Sequence, residues 1–111
     1  MTKQQADLYK QGTLALLILR LLSSGSLNGW DIMQRIQLAS GEVLSATPGA
    51  LYPALHRLEA RGLIASTWRP SDNNRKARFY ALTTRGRKQL EAQRKEWEQF
   101  SAAVSLILRD A

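Results

Sequence analysis

Apolar residues recur along the chain in four blocks whose spacing suits helices and two short blocks whose spacing suits strands. The first helical block, Leu14–Leu22, is broken only by Arg20 and is apolar nearly all round. Such a helix is buried on more than one side, and in a small domain a second chain can supply part of that cover. Thr13 is its expected N-cap, Ser23-Ser24-Gly25-Ser26 its stop, and the polar residues 1–11 before it are expected to fray. A second helix is expected from Asn28, as cap, to a stop by Gly41, with Ile32, Met33 and Ile36 on its apolar face. The third has a sharp start, with Thr47 as N-cap and Pro48 at the first helical position, where a missing N–H costs nothing. Leu51, Leu55 and Leu58 fall at i, i+4 and i+7 and face inward. Tyr52, His56 and Glu59 occupy the opposite face, with Gly49, Pro53 and Arg57 beside them. Pro53 removes one interior hydrogen bond and is expected to bend the helix, and Gly62 closes it.

Residues 63–68 then read as a strand, 69–74 as a turn and 76–82 as a second strand. The second strand carries Ala77, Phe79 and Ala81 on one face and Arg78, Tyr80 and Leu82 on the other, and period alone leaves open which is buried. Thr83 or Thr84 caps a last helix reaching Arg109, roughly 40 Å long at 1.5 Å per residue. Helix, helix, helix, strand, turn, strand, helix is the order of a winged helix-turn-helix. The fold class is therefore mainly α with a small β-hairpin, plus a long C-terminal dimerisation helix. Residues 1–82 are expected to form the winged helix-turn-helix domain, its N-terminal helix shared with the dimer interface, and residues 83–111 the dimerisation helix. In that last helix Leu90, Trp97 and Val104 lie seven apart, and Phe100 and Ile107 follow three after Trp97 and Val104. This is the seam of a symmetric dimer, the alternative being a helix that lies back on its own domain.

Composition sharpens the functional side. The 111 residues carry 16 Lys and Arg against 9 Asp and Glu, a net charge of +7. The excess sits in residues 57–88, which hold nine bases against Glu59 and Asp72. A basic segment beside a compact helix points to a polyanionic partner, with a solvated basic face as the plain alternative. There is no Cys and a single His, which excludes disulfide scaffolds, thiol catalysis and Cys/His zinc sites. With no metal constellation, no phosphate-cradling glycine loop and no partner for the lone His, no enzyme, cofactor or metal is expected. No segment reaches the length of a membrane span, and no secretory signal precedes the first apolar run, so a soluble cytoplasmic protein is expected.

Several separated blocks also carry a family resemblance. Leu51-Tyr52-Pro53-Ala54-Leu55-His56-Arg57-Leu58-Glu59 followed by Gly62-Leu63-Ile64 resembles the signature of the PadR family of transcriptional regulators. Leu27-Asn28-Gly29-Trp30-Asp31-Ile32, Thr47-Pro48-Gly49, Arg78-Phe79-Tyr80, Leu82-Thr83 and Gly86-Arg87 stand around it in matching order, so that the likeness covers roughly residues 7–90. Resemblance implies a homodimeric repressor that binds inverted repeats in double-stranded DNA, and that in some members is relieved by a small molecule. The chain departs from the pattern at Ala50, where the family usually has Thr or Ser, and at Trp30, where it usually has Tyr. Its C-terminal region is too short for the larger effector-binding domain of longer members.

The residues expected to meet DNA are Thr47, Gly49, Tyr52, His56 and Arg57 of the third helix and Asn74, Arg75, Lys76 and Arg78 of the wing. Gly49 lets a helix N-terminus approach a phosphate, Tyr52 and His56 reach bases or backbone, and the wing bases neutralise phosphates or enter the minor groove. The bland alternatives are a half-buried scaffold role for Tyr52, a merely solvated His56, and a solvated basic hairpin. Trp97 reads first as a seam aromatic. The sharper reading has paired Trp97 rings lining a cavity for a flat apolar effector, as in multidrug-sensing members of the family. The rival to DNA binding is a winged-helix protein-interaction module with an acidic partner.

Overall fold

The structure, a computed structural model, describes residues 12–110. The polar stretch expected to fray, residues 1–11, lies outside the described residues. Helix α1 spans Thr13–Leu22 and begins after Gly12, whose φ of 85° turns the chain into it. Thr13 was the expected cap, but it is the first helical residue, and no side chain caps this helix. Strand β1, Leu27–Asn28, leads directly into α2, Gly29–Ala39, where the Asn28 side chain accepts from the Asp31 N–H at 2.8 Å. Helix α3 spans Pro48–Ala60, with Thr47 Oγ1 accepting from the Ala50 N–H at 3.3 Å. The helix continues through Pro53. Pro53 has no N–H to give to the Gly49 carbonyl, and both residues lie on the exposed side of the helix.

Both α2 and α3 end alike. The Gly62 N–H bonds to Glu59 O at 3.0 Å and the Leu63 N–H to Leu58 O at 3.0 Å. Gly41 and Glu42 close α2 through the equivalent pair, to Leu38 O and Gln37 O. This double closure requires a left-handed residue just past the helix, and Gly62 supplies it at φ 75°. The chain then enters β2, Ile64–Pro70, which pairs antiparallel with β3, Lys76–Leu82, in the register Ile64↔Leu82 to Pro70↔Lys76. The hairpin is longer than expected. Residues Arg69 and Pro70 extend β2, with the Arg69 guanidinium 4.1 Å from the Phe79 ring centre.

The sheet also has a third strand. β1 pairs with β3 through Leu27↔Tyr80 and Asn28↔Phe79, so the order is β1-β3-β2. The face of β3 left open by its alternation is now settled: Tyr80 is buried against the helices, and Phe79 is half-buried. One core gathers Leu14, Ile18, Leu19 and Leu22 of α1, Ile32 and Ile36 of α2, Leu51, Leu55 and Leu58 of α3, and Ile64. Leu16, Leu17 and Leu21 of α1 are only half-buried, as a helix apolar all round becomes when a single chain covers it.

Helix α4 spans Thr84–Asp110. Thr83 caps it, accepting from the Gly86 N–H at 3.0 Å, and its hydroxyl hydrogen is shared between Gly62 O at 2.8 Å and Leu63 O at 3.0 Å. The helix start is thereby tied to the end of α3. Leu90 was expected in a dimer seam, yet it is 5% exposed and lies in the chain's own core, because α1 packs on the first turns of α4. Beyond it α4 leaves the body. The radius of gyration is 15.0 Å, against about 13 Å for a compact chain of this length.

Candidate nucleic-acid interface

Helix α3 is divided along its length. Leu51, Ala54, Leu55 and Leu58 are buried, while Gly49, Tyr52, Pro53, His56 and Arg57 are exposed. The rows at i and i+4 that seat the leucines in the core therefore hold Tyr52 and His56 out of it, one turn apart. Thr47 stands at the start of this face with its hydroxyl engaged as the cap. A Cβ at Gly49 would meet nothing nearer than Thr47 Oγ1 at 3.9 Å, so the helix start is open to a large ligand.

Tyr52 has a support. A Cβ on Gly29 would lie 2.5 Å from the Tyr52 hydroxyl oxygen and 2.9 Å from two ring carbons, so the ring rests on the first turn of α2 where only glycine leaves room. The ring is nevertheless 42% exposed. The scaffold and contact readings of Tyr52 are thus compatible: one side of the ring is held and the other is free.

The wing faces this helix across a groove of about 710 Å³. Tyr52 and His56 line one wall, Trp68, Arg75 and Arg78 the other, and Asn28, Trp30 and Asp31 one end. At the hairpin tip the Ser71 N–H bonds to Arg75 O at 2.7 Å, and Asn74 takes a left-handed φ of 62°, which Asn tolerates better than most residues. Arg75 and Lys76 follow it, both exposed. Among the expected contacts, Tyr52, His56, Arg75 and Arg78 come together on the groove; Thr47, Gly49, Arg57, Asn74 and Lys76 stand outside its lining.

Arg78 is not free. Its Nε donates to Ser66 Oγ at 2.8 Å, its Nη2 lies 3.5 Å from Glu59 Oε1, and its guanidinium is 5.8 Å from the Trp68 ring centre. Glu59 also accepts from Ser66 Oγ at 2.6 Å. Beside this cluster, burial pushes the Tyr80 hydroxyl above its ordinary value near 10, with Arg78 opposing and Glu59 and Tyr52 adding to the rise. Sequence reasoning missed Trp30 and Trp68, each 64% exposed at the groove. The available signal for Trp68 was the alternation Ile64, Ser66, Trp68, which places it on the helix-facing side of β2 but beyond the reach of the core.

On α4, Trp97, Phe100, Val104 and Ile107 form an exposed stripe, with the Trp97 and Phe100 rings 6.1 Å apart and tilted by 41°. Gln93, between Leu90 and Trp97 on the same spacing, has its amide oxygen buried without a hydrogen-bond partner.

Residues 18–92 match the transcriptional regulator PadR-like family. A 37.1 kDa uncharacterised protein of a Streptomyces fradiae transposon is 37% identical over 89 residues, which are 80% of this chain and 24% of that protein. A transcriptional regulator of Mycobacterium tuberculosis is 45% identical over 58 residues, 52% of this chain and 53% of that one. The chain thus spans about a quarter and about half of the lengths of these two relatives. Among solved structures, a PadR-like transcriptional regulator of Bacillus cereus superposes with a TM-score of 0.78 at 26% identity, covering 91% of this chain and 96% of that one. With its winged helix and long C-terminal helix matched across solved relatives, and the profile match running from α1 into α4, the chain belongs to the PadR-like family of transcriptional regulators.

Proposed function

We propose that this regulator is a homodimeric repressor that binds an inverted-repeat operator in double-stranded DNA. The observation that carries this reading is the exposed face of α3, with Tyr52 and His56 one turn apart and a basic wing across the groove. A helix of that kind fits the major groove, about 12 Å wide, with its N-terminal residues at the base edges. Thr47, Gly49 and Arg57 then lie near the flanking backbone, and Asn74, Arg75 and Lys76 reach the next phosphates or the minor groove. Residues 1–82 act as the DNA-reading unit and residues 83–111 as the dimerisation helix. No described helix is long and apolar enough to cross a membrane, in keeping with a cytoplasmic protein working on DNA.

The dimer reading rests on the stripe Trp97, Phe100, Val104 and Ile107, too apolar to leave in water along one helix. A second copy would cover it. Leu90 supports that seam from beneath rather than forming it. Paired Trp97 rings at the seam give a site for a flat apolar effector that relieves repression.

The test is salt dependence on a duplex selected from a random pool. Each phosphate neutralised on B-DNA contributes a slope of about −0.9 in log affinity against log salt. If Arg75 and Lys76 each touch one phosphate in each subunit, changing both to Ala makes the slope shallower by roughly 3–4 units. The loss is similar on selected and random duplexes, since phosphates carry no sequence. An unchanged slope removes the wing from the interface. Failure of the wild type to prefer any duplex favours the protein-interaction module.

A further inference from the structure

The wing base nearest the recognition helix is already occupied. Glu59 in the last turn of α3, Ser66 on β2 and Arg78 on β3 close a triangle of contacts: Ser66 Oγ to Glu59 Oε2 at 2.6 Å, Arg78 Nε to Ser66 Oγ at 2.8 Å, and Arg78 Nη2 to Glu59 Oε1 at 3.5 Å. The donors and acceptors balance. The single hydroxyl hydrogen of Ser66 goes to the carboxylate, its lone pair takes the Nε–H, and the carboxylate's second oxygen faces the guanidinium. The reach is specific, because Ser66 is opposite Tyr80 and Arg78 is opposite Trp68. Arg78 therefore leans diagonally along the ladder, away from the hairpin tip and toward α3, under the Trp68 ring.

The Glu59 and Arg78 side chains are 32% and 42% exposed, and pairs of that exposure contribute little to stability. What the triangle does is geometric. It is the polar link between the helix that would enter the major groove and both strands of the hairpin that would lie over the backbone. Two mobile side chains could drift, but three contacts, two of them through one hydroxyl, hold one arrangement.

We infer that the Glu59–Ser66–Arg78 triangle sets the angle of the wing against the recognition helix, so that Arg78 is a positioning residue for operator selectivity and not a phosphate ligand. This rests on the DNA-reading function proposed above. The competing account makes Glu59 a stand-in for phosphate that releases Arg78 when DNA arrives. The two accounts give opposite signs.

Arg78→Lys separates them, because Lys keeps the charge a phosphate needs but lacks the planar fork that spans Ser66 and Glu59. Affinities of the full chain are measured on the pool-selected duplex and on a random duplex across a salt series, for Glu59→Gln, Arg78→Lys and the double variant. Positioning predicts that each single variant binds the selected duplex at least fivefold more weakly and the random duplex within twofold of wild type. It also predicts that the double variant is no worse than either single variant, with an unchanged salt slope. Tighter binding by Glu59→Gln on both duplexes overturns the inference, and so does near wild-type selectivity in Arg78→Lys. A DNA-free arm keeps it testable if DNA reading itself fails. The chain has no native cysteine, so spin labels at Asn73→Cys and Arg57→Cys, diluted with unlabelled chain, report the wing-to-helix distance within one subunit. The distance distribution should broaden at least twofold in Glu59→Gln and in Arg78→Lys, at melting temperatures within a few degrees of wild type. An unchanged distribution in both variants overturns the inference whatever the DNA results.

Discussion

Gly86→Ala tests the joint on which the whole arrangement turns. In an exposed helix this exchange stabilises by up to about 1 kcal/mol. Here the added Cβ would overlap the Leu63 carbonyl oxygen and lie 2.7 Å from Leu82 Cδ1. The carbonyl cannot retreat freely, since it accepts from the Thr83 N–H at 3.1 Å and from the Thr83 hydroxyl at 3.0 Å. Those two bonds contribute about 1 kcal/mol each, and forcing a methyl group into a packed site costs about 1–3 kcal/mol. The sum opposes and outweighs the helix gain, leaving a net loss of about 3 kcal/mol. In a domain of this size that lowers the melting temperature by roughly 10–20 °C. The assay is thermal unfolding followed by circular dichroism at fixed chain concentration, so that any self-association contributes equally to both proteins. A melting temperature equal to or above wild type would refute the reasoning and show that α4 does not need so close an approach to Leu63.

Three further outcomes follow from the same contacts. Gly29→Ala places a methyl group where the Tyr52 ring rests; the ring swings away at little cost in stability, and binding to the selected duplex falls severalfold while random-duplex binding holds, as a titration of both duplexes would show. Val104→Asp combined with Ile107→Asp puts two charges in the exposed stripe of α4, so sedimentation should give monomers or aggregates where wild type gives a dimer at micromolar concentration. Burial raises the Tyr80 hydroxyl above 10, so the unfolded chain releases that proton first, and stability present below pH 10 declines as pH rises past it; Tyr80→Phe should flatten this alkaline decline in denaturant titrations, and an equally steep decline would assign it to other groups.

Much of the fold was legible because its signals are local. Asn28 and Thr47-Pro48 cap the helices they precede, and Gly62 ends α3 in a left-handed turn. Asn28 and Thr47 act through a side chain on the N–H three residues ahead, Gly62 through a backbone freed by the lack of one, and the spacing of Leu51, Leu55 and Leu58 depends on helix geometry alone. The exposed polar face of α3 follows from the same spacing, which turns Tyr52 and His56 outward as it turns the leucines inward. Even so, Thr13 was misplaced as a cap, since the φ of Gly12 shifted the helix start by one residue.

The remaining features depend on residues distant in sequence. β1 is two residues long and has no periodicity of its own; only its pairing with β3 makes it a strand. Leu90 shares heptad spacing with Trp97 and Val104, and the docking of α1 decides that it belongs to the chain's own core. Arg78 looks in the sequence like its neighbours Arg75 and Lys76. The diagonal of the ladder and the end of α3 bring it to Ser66 and Glu59. The chain's own order of residues determined the helices, the caps at Asn28 and Thr47, the charge and the exposed polar face of α3. Tertiary packing decided which apolar residues are spent internally and which basic residues remain free for a partner, because both are settled by contacts between elements that no local period encodes.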